Sequence, residues 1–236
     1  MKRNRAFLKY FSKGEIILLA ASVGAIVIAF LVFDRADYMT LAASLIGVTS
    51  LVFNAKGNPT GQCLMIVFSL LYGVISYSFA YYGEMITYLG MTAPMAAAAL
   101  VSWLRHPYEG RRREVEVNDL SRKELVFMWL PTAAVTAGFY FILKALHTAN
   151  IMPSTLSIAT SFAAAYLTWR RSPYYALLYA ANDIVLIILW MLAALKNTSY
   201  IQVSVCFCAF LANDIYGFVS WRSMAKRQRD RSRDDA

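Results

Sequence analysis

Apolar residues along this chain fall into eight blocks, over roughly 15–33, 37–53, 59–81, 84–104, 124–146, 153–169, 173–195 and 199–221. Each is close to the about 20 residues that a helix rising 1.5 Å per residue needs to cross a ~30 Å hydrocarbon layer. A large soluble core would instead divide its apolar residues into stripes on amphipathic helices. The pattern predicts an all-α polytopic membrane protein with eight transmembrane helices. Charge, Gly and Pro mark the boundaries, as at Asp34-Arg35, Lys56-Gly57-Asn58-Pro59, Gly83-Glu84, Arg170-Arg171-Ser172-Pro173 and Lys196-Asn197. Pro59 and Pro173 fall in a first helical turn, where a missing N–H costs nothing. Pro94 and Pro131 fall inside spans, where a kink is expected.

Composition sharpens this picture. The 236 residues are 59% hydrophobic and 16% charged, against about 45–50% and about 25% in soluble domains. Mean hydropathy is +0.48. The net charge of +9 could be read as a nucleic-acid footprint, but every basic cluster abuts an apolar block. The clusters are therefore topological markers, the partner they imply is the lipid bilayer, and no nucleic-acid partner is expected. With both termini inside and eight alternating spans, all of the 23 basic residues except Arg35, Lys144 and Lys196 fall on the cytoplasmic side. The apolar run after Lys13 is longer than a signal-peptide core, so it is read as an uncleaved first span. Cys63, Cys206 and Cys208 lie inside apolar blocks without metal-ligand spacing, so they are read as packing residues and no metal or other cofactor is expected.

The chain also compares with itself. Residues 36–105 and 149–222 each hold three spans. Each has a basic turn ending in Pro between its first two spans, and each ends in Val-Ser-Trp before a basic residue (Val101-Ser102-Trp103, Val219-Ser220-Trp221). Lys56 and Arg170 are 114 positions apart, and Trp103 and Trp221 are 118 apart. A basic segment with a leading helix (1–35), a charged cytoplasmic loop (106–123), a connecting span (124–148) and a charged tail expected to be disordered (223–236) complete the layout. The connecting span gives both units one orientation, a parallel 3+1+3 duplication behind a leading helix.

Polar residues at membrane depth carry the functional signal. Asn182-Asp183 and Asn213-Asp214 lie ~15 Å and ~10 Å from the inner ends of spans 7 and 8, at 1.5 Å per residue. A carboxylate there costs about 2.5–3.5 kcal/mol on insertion scales and points to a cavity or a partner. No Lys or Arg shares that depth. Tyr175, Tyr179 and Trp190 fall on roughly the Asp183 face, and Tyr216 and Tyr72 supply further rings from spans 8 and 3. Acids beside π faces suit a flat cation, and Gln62, Ser69 and Ser76 offer hydrogen bonds to a sugar-like moiety. A proton or ion pathway through the two acids is the competing reading. Enzyme chemistry is not indicated, because no catalytic residue group, metal spacing or phosphate loop is present.

At these residues the chain resembles the PnuC family of vitamin transporters. The resemblance rests on the 3+1+3 layout, on Tyr82-Gly83-Glu84 after span 3, and on the helix end Asn213-Asp214-Ile215-Tyr216-Gly217-Phe218-Val219-Ser220-Trp221. It implies a SWEET-like fold, a homotrimer in a bacterial inner membrane, and import of nicotinamide riboside by facilitated diffusion. It also implies that a separate cytoplasmic vitamin kinase drives uptake by phosphorylating the product. Where riboside carriers of the family have Trp-x-x-Trp-x-x-x-Asn, this chain has Tyr175, Leu178, Tyr179 and Asn182, and Phe68 stands where a polar match to Asn182 is expected. Thiamine, riboflavin and deoxynucleosides therefore stay open as alternative substrates.

Overall fold

A computed structural model describes residues 10–78, 81–110, 113–148 and 150–234. Lys2, Arg3, Arg5, Lys9, Arg111 and Arg112, counted above as inner charges, lie outside the described residues, as do positions 79 and 80 of the expected third span. Eight long helices account for most of the described chain: α1 Lys13–Phe33, α2 Tyr38–Ala55, α3 Thr60–Ser78, α4 Tyr82–Arg105, α5 Arg122–Ala145, α6 Ile151–Trp169, α7 Tyr174–Ala194 and α8 Ile201–Asp234. Among the described residues there is no strand, only a lone bridge between Pro107 and Val115.

Local chemistry sets the helix starts. Ser12 and Glu15 form a reciprocal capping box on α1, and Asp37 and Ser121 cap α2 and α5. Seven helices are long and apolar enough to cross a membrane. The other, α6, falls short because Ser154, Ser157, Ser161 and Thr168 occupy its buried faces. Pro94 is accommodated without a break. A π-helical stretch, Tyr88–Thr92, precedes it within α4, and Pro94 has no N–H to hold an ordinary i→i−4 bond there.

Six helices close a ring, each packed on the next. The first expected unit is α2, α3 and α4, and the second is α6, α7 and α8. Within each unit successive helices touch, and across units α8 packs on α2 while α4 packs on α6. α1 lies against α2 and α8, and α5 against α6.

One end of the bundle is tightly bonded. After α2, Gly57 takes φ +63° and the Asn58 N–H donates back to the Phe53 carbonyl at 3.0 Å. After α6, Arg171 takes φ +59° and the Ser172 N–H donates to the Leu167 carbonyl at 2.9 Å. Both are left-handed helix endings of the Schellman type. The loop between α4 and α5 is strapped across both turns: Val115 N–H donates to the Gly57 carbonyl at 2.9 Å, and Asn118 N–H to the Arg171 carbonyl at 3.0 Å. Trp103 Nε1 donates to the Thr168 carbonyl at 2.9 Å and Trp221 Nε1 to the Asn54 carbonyl at 2.7 Å. Their rings are 5.3 Å apart. Ser102 and Ser220 donate beside them, to Trp169 and Ala55. These tryptophans are fully buried, so they lock the two units together.

The tail departs from expectation. It continues α8 as helix to Asp234 instead of being disordered. Gln228 explains why. It is buried, accepts from Val117 N–H at 2.8 Å and donates to the Val115 carbonyl at 3.1 Å, while Arg227 pairs with Glu114. The charged loop and the tail therefore satisfy each other's polar groups.

Candidate functional site

All six helices of the two units meet around one small cavity. α2 contributes Leu51, α3 Met65 and Phe68, α4 Tyr88 and Thr92, and α6 Ser161. α7 contributes Tyr179, Asn182 and Asp183, and α8 Phe207, Phe210 and Asp214. The cavity volume is about 40 Å³. That is room for a water or two, against roughly 300–1,000 Å³ in typical small-molecule sites. The cavity as it stands is too small for a nucleoside-sized ligand.

Two features give the cavity its chemistry. Asp183 and Asp214 are buried and their carboxyl groups lie within hydrogen-bonding reach of each other. Apart from that mutual contact, Asp183 Oδ2 finds no hydrogen-bond partner among the described residues, and neither acid belongs to an ion pair there. Two ionised carboxylates so placed repel in a weakly polar medium, and a cation seated between them relieves that repulsion. The second feature is a set of rings. Phe68 meets Phe210 at 5.3 Å and Tyr88 at 6.0 Å, and Phe207 meets Phe210 at 5.6 Å. Asn182 is fixed by α6: its Oδ1 accepts from Ser157 Oγ at 3.1 Å and from Thr160 Oγ1 at 2.9 Å.

Of the residues singled out from sequence, Tyr179, Asn182, Asp183 and Asp214 come together here. The others occupy different surroundings. Tyr175 packs on Trp221 at 5.0 Å, toward the bonded end of the bundle. Tyr72 and Trp190 pack together at 6.2 Å, with the Tyr72 ring 4.4 Å from and tilted 48° to the Tyr88 ring behind the cavity wall. Asn213 donates to Ser22 Oγ of α1 at 2.9 Å. Asn213 is thereby turned toward α1, while its neighbour Asp214, about 100° further round the helix, lines the cavity. Tyr216 reaches Glu15 at 3.1 Å, Gln62 donates to Asn54 Oδ1 at 2.9 Å, and Ser69 bonds back to the Met65 carbonyl at 2.8 Å. Asn213, Tyr216 and Gln62 secure contacts between helices, Ser69 bonds within its own helix, and none of the four lines the cavity.

Seven lining residues were not anticipated. Phe210 and Phe207 stand four and seven positions before Asp214, so helical spacing on α8 marks them. Ser161 completes the row Ser154, Ser157, Ser161 on α6. Leu51 and Met65 look like any core residues. Tyr88 and Thr92 sit at the two ends of the π-helical stretch, whose wider turn brings positions four apart closer to one face.

Comparison with known proteins places this geometry. The chain is 26% identical over 219 residues to the nicotinamide riboside transporter PnuC of Neisseria mucosa, covering 90% of this chain and 82% of that one. It is 23% identical over 225 residues to the nicotinamide riboside transporter PnuC of Haemophilus influenzae, covering 94% and 95%. In fold it is similar to a crystal structure of the vitamin B3 transporter PnuC, with a TM-score of 0.81 at 23% identity, over 92% of this chain and 94% of that one. The family described as nicotinamide mononucleotide transporter matches residues 37–223, which takes in all six helices around the cavity, and the chain belongs to that family.

Proposed function

We propose that this chain carries nicotinamide riboside, or a closely related flat cationic vitamin, across a bacterial inner membrane. The observation that carries the reading is the buried Asp183–Asp214 pair facing aromatic rings where all six helices meet. The pyridinium charge sits against the acids and its ring against Tyr179 and the phenylalanines. Asn182 holds the polar part of the ligand. The names of the two relatives point to the same substrate.

The small closed cavity favours alternating access, in which the two units rock apart on one side at a time. A parallel 3+1+3 duplication supports that motion. The matching left-handed turns and the exchanged Trp and Ser hydrogen bonds are what a duplicated, SWEET-like frame produces. The bonded end carries Lys56, Arg105, Arg170 and Arg171, which supports a cytoplasmic position for it and, on this reading, for both termini. Among the described residues no basic side chain lines the cavity; the likeness to this family adds facilitated diffusion to the reading, with a cytoplasmic kinase supplying the drive. A homotrimer is part of the same reading. α5, which packs chiefly on α6, leaves Phe127, Trp129, Leu130 and Phe141 exposed for lipid or neighbouring copies.

Uptake of radiolabelled nicotinamide riboside into proteoliposomes tests the site. Asp183→Asn, Asn182→Ala and Tyr179→Ala are each expected to depress it, and unchanged transport in all three removes the assignment. Competition by unlabelled thiamine, riboflavin and deoxynucleosides decides which ligand the parent protein prefers.

A further inference from the structure

Besides the central pair and Glu15, which pairs with Lys56, a further buried acid lies away from the cavity. Glu84 is 3% exposed, in the first turn of α4, at the end of the bundle opposite the bonded turns. Its Oε2 has no hydrogen-bond partner among the described residues, and no ion pair there includes it. An unpaired buried carboxylate in a membrane helix is costly enough to call for a ligand. Tyr88, which lines the cavity, is one helical turn further in on the same helix. That places Glu84 about 6 Å outward of it along the α4 axis.

Rings complete the surroundings. Tyr81 meets Trp190 at 5.0 Å and Tyr200 at 5.8 Å, and Trp190 meets Tyr200 at 5.6 Å. Tyr81 and Tyr88 stand three positions before and four positions after Glu84, on its side of the helix, and Tyr88 lines the cavity with Asp183. The two acidic centres are therefore joined by one tyrosine.

We propose that Glu84, together with the Tyr81–Trp190–Tyr200 cluster, forms an outer subsite that holds a flat organic cation before it reaches the Asp183–Asp214 pair. The subsite rests on the reading of the chain as a carrier of such cations. A positive ring system is recognised here by one carboxylate and by π faces, and Tyr88 leads it inward.

Equilibrium binding to purified protein tests this apart from transport. In an Asp183→Asn, Asp214→Asn background the central acids are gone. Radiolabelled 1-methylnicotinamide, a small pyridinium probe, is expected to bind that protein, and adding Glu84→Gln is expected to weaken it at least ten-fold. Uncharged nicotinamide should bind both alike, and Glu84→Asp, which keeps the charge, should stay within about three-fold of the background. Equal binding of the cation with and without Glu84→Gln overturns the proposal. So does a background that binds no cation, or one in which sodium displaces the probe at constant ionic strength, which makes Glu84 an inorganic-ion site. Failure of the carrier reading shows separately, as absence of riboside uptake by the parent protein.

Discussion

The two three-helix units share a frame and differ in their chemistry. At the bonded end they are nearly interchangeable. Gly57 and Arg171, 114 positions apart, take the same left-handed turn and accept the same strap from the loop. Trp103 and Trp221 each donate to the first helix of the opposite unit. At the cavity the equivalence ends. Positions 68 and 182 both line it, as phenylalanine and asparagine, and positions 65 and 179 both line it, as methionine and tyrosine. Both central acids come from the second unit. In the proposed carrier a ligand at the centre is gripped by charge from α7 and α8 and faced by Leu51, Met65 and Phe68 of α2 and α3. On the same proposal the frame's near-symmetry serves motion and its broken symmetry serves recognition.

The largest expected effect comes from erasing the one-sided charge. Asp183→Asn with Asp214→Asn should lower riboside uptake roughly a hundred-fold, in line with the about 2–5 kcal/mol that buried charge partners contribute. Retained uptake would mean that the acids serve the frame alone. Next, Phe68→Ala removes the ring opposite Asn182. Loss of one stacking face is worth about 1–3 kcal/mol, so KM should rise roughly ten-fold with the maximal rate held. A fall in rate at constant KM would place Phe68 in the moving frame.

Trp103→Phe and Trp221→Phe probe the equivalent ends. Each deletes one buried hydrogen bond while its carbonyl keeps a backbone N–H of the turn, from Arg171 or Gly57, a loss of about 1 kcal/mol. Melting temperatures in detergent should fall by similar amounts for the two variants, and a large disparity would break the proposed equivalence. The smallest effect is a gain. Arg171 occupies a conformation that costs a side-chain-bearing residue about 1 kcal/mol and glycine almost nothing. Arg171→Gly should raise the melting temperature slightly, making the second turn resemble the first.

Much of the frame was legible in the chain because membrane helices advertise themselves. Long apolar runs, basic turns and prolines at first turns located seven of the eight spans to within about three residues of their observed ends. The eighth helix was misjudged at its far end, because a charged sequence of Arg, Lys and Gln reads as a solvated tail until Gln228 is seen to bond the loop. The site was half legible. Asp183 and Asp214 stand out by their expense. Asn213 and Tyr216 stood out equally and turned out to hold α1, since depth is read from sequence position while facing direction depends on which neighbour a helix meets. Tyr88 and Thr92 left no trace, because an i→i+5 turn is a property of backbone register.

The unbroken run of α8 from Ile201 to Asp234 has a mechanical consequence. Asp214 and Gln228 sit on one rod, about 21 Å apart at 1.5 Å per residue. A pivot of only ten degrees near Asp214 swings Gln228 sideways by roughly 4 Å on that arm, more than the length of the bonds by which it holds the loop. Whatever tilts the helix at the centre is therefore felt as a lever stroke at the membrane surface.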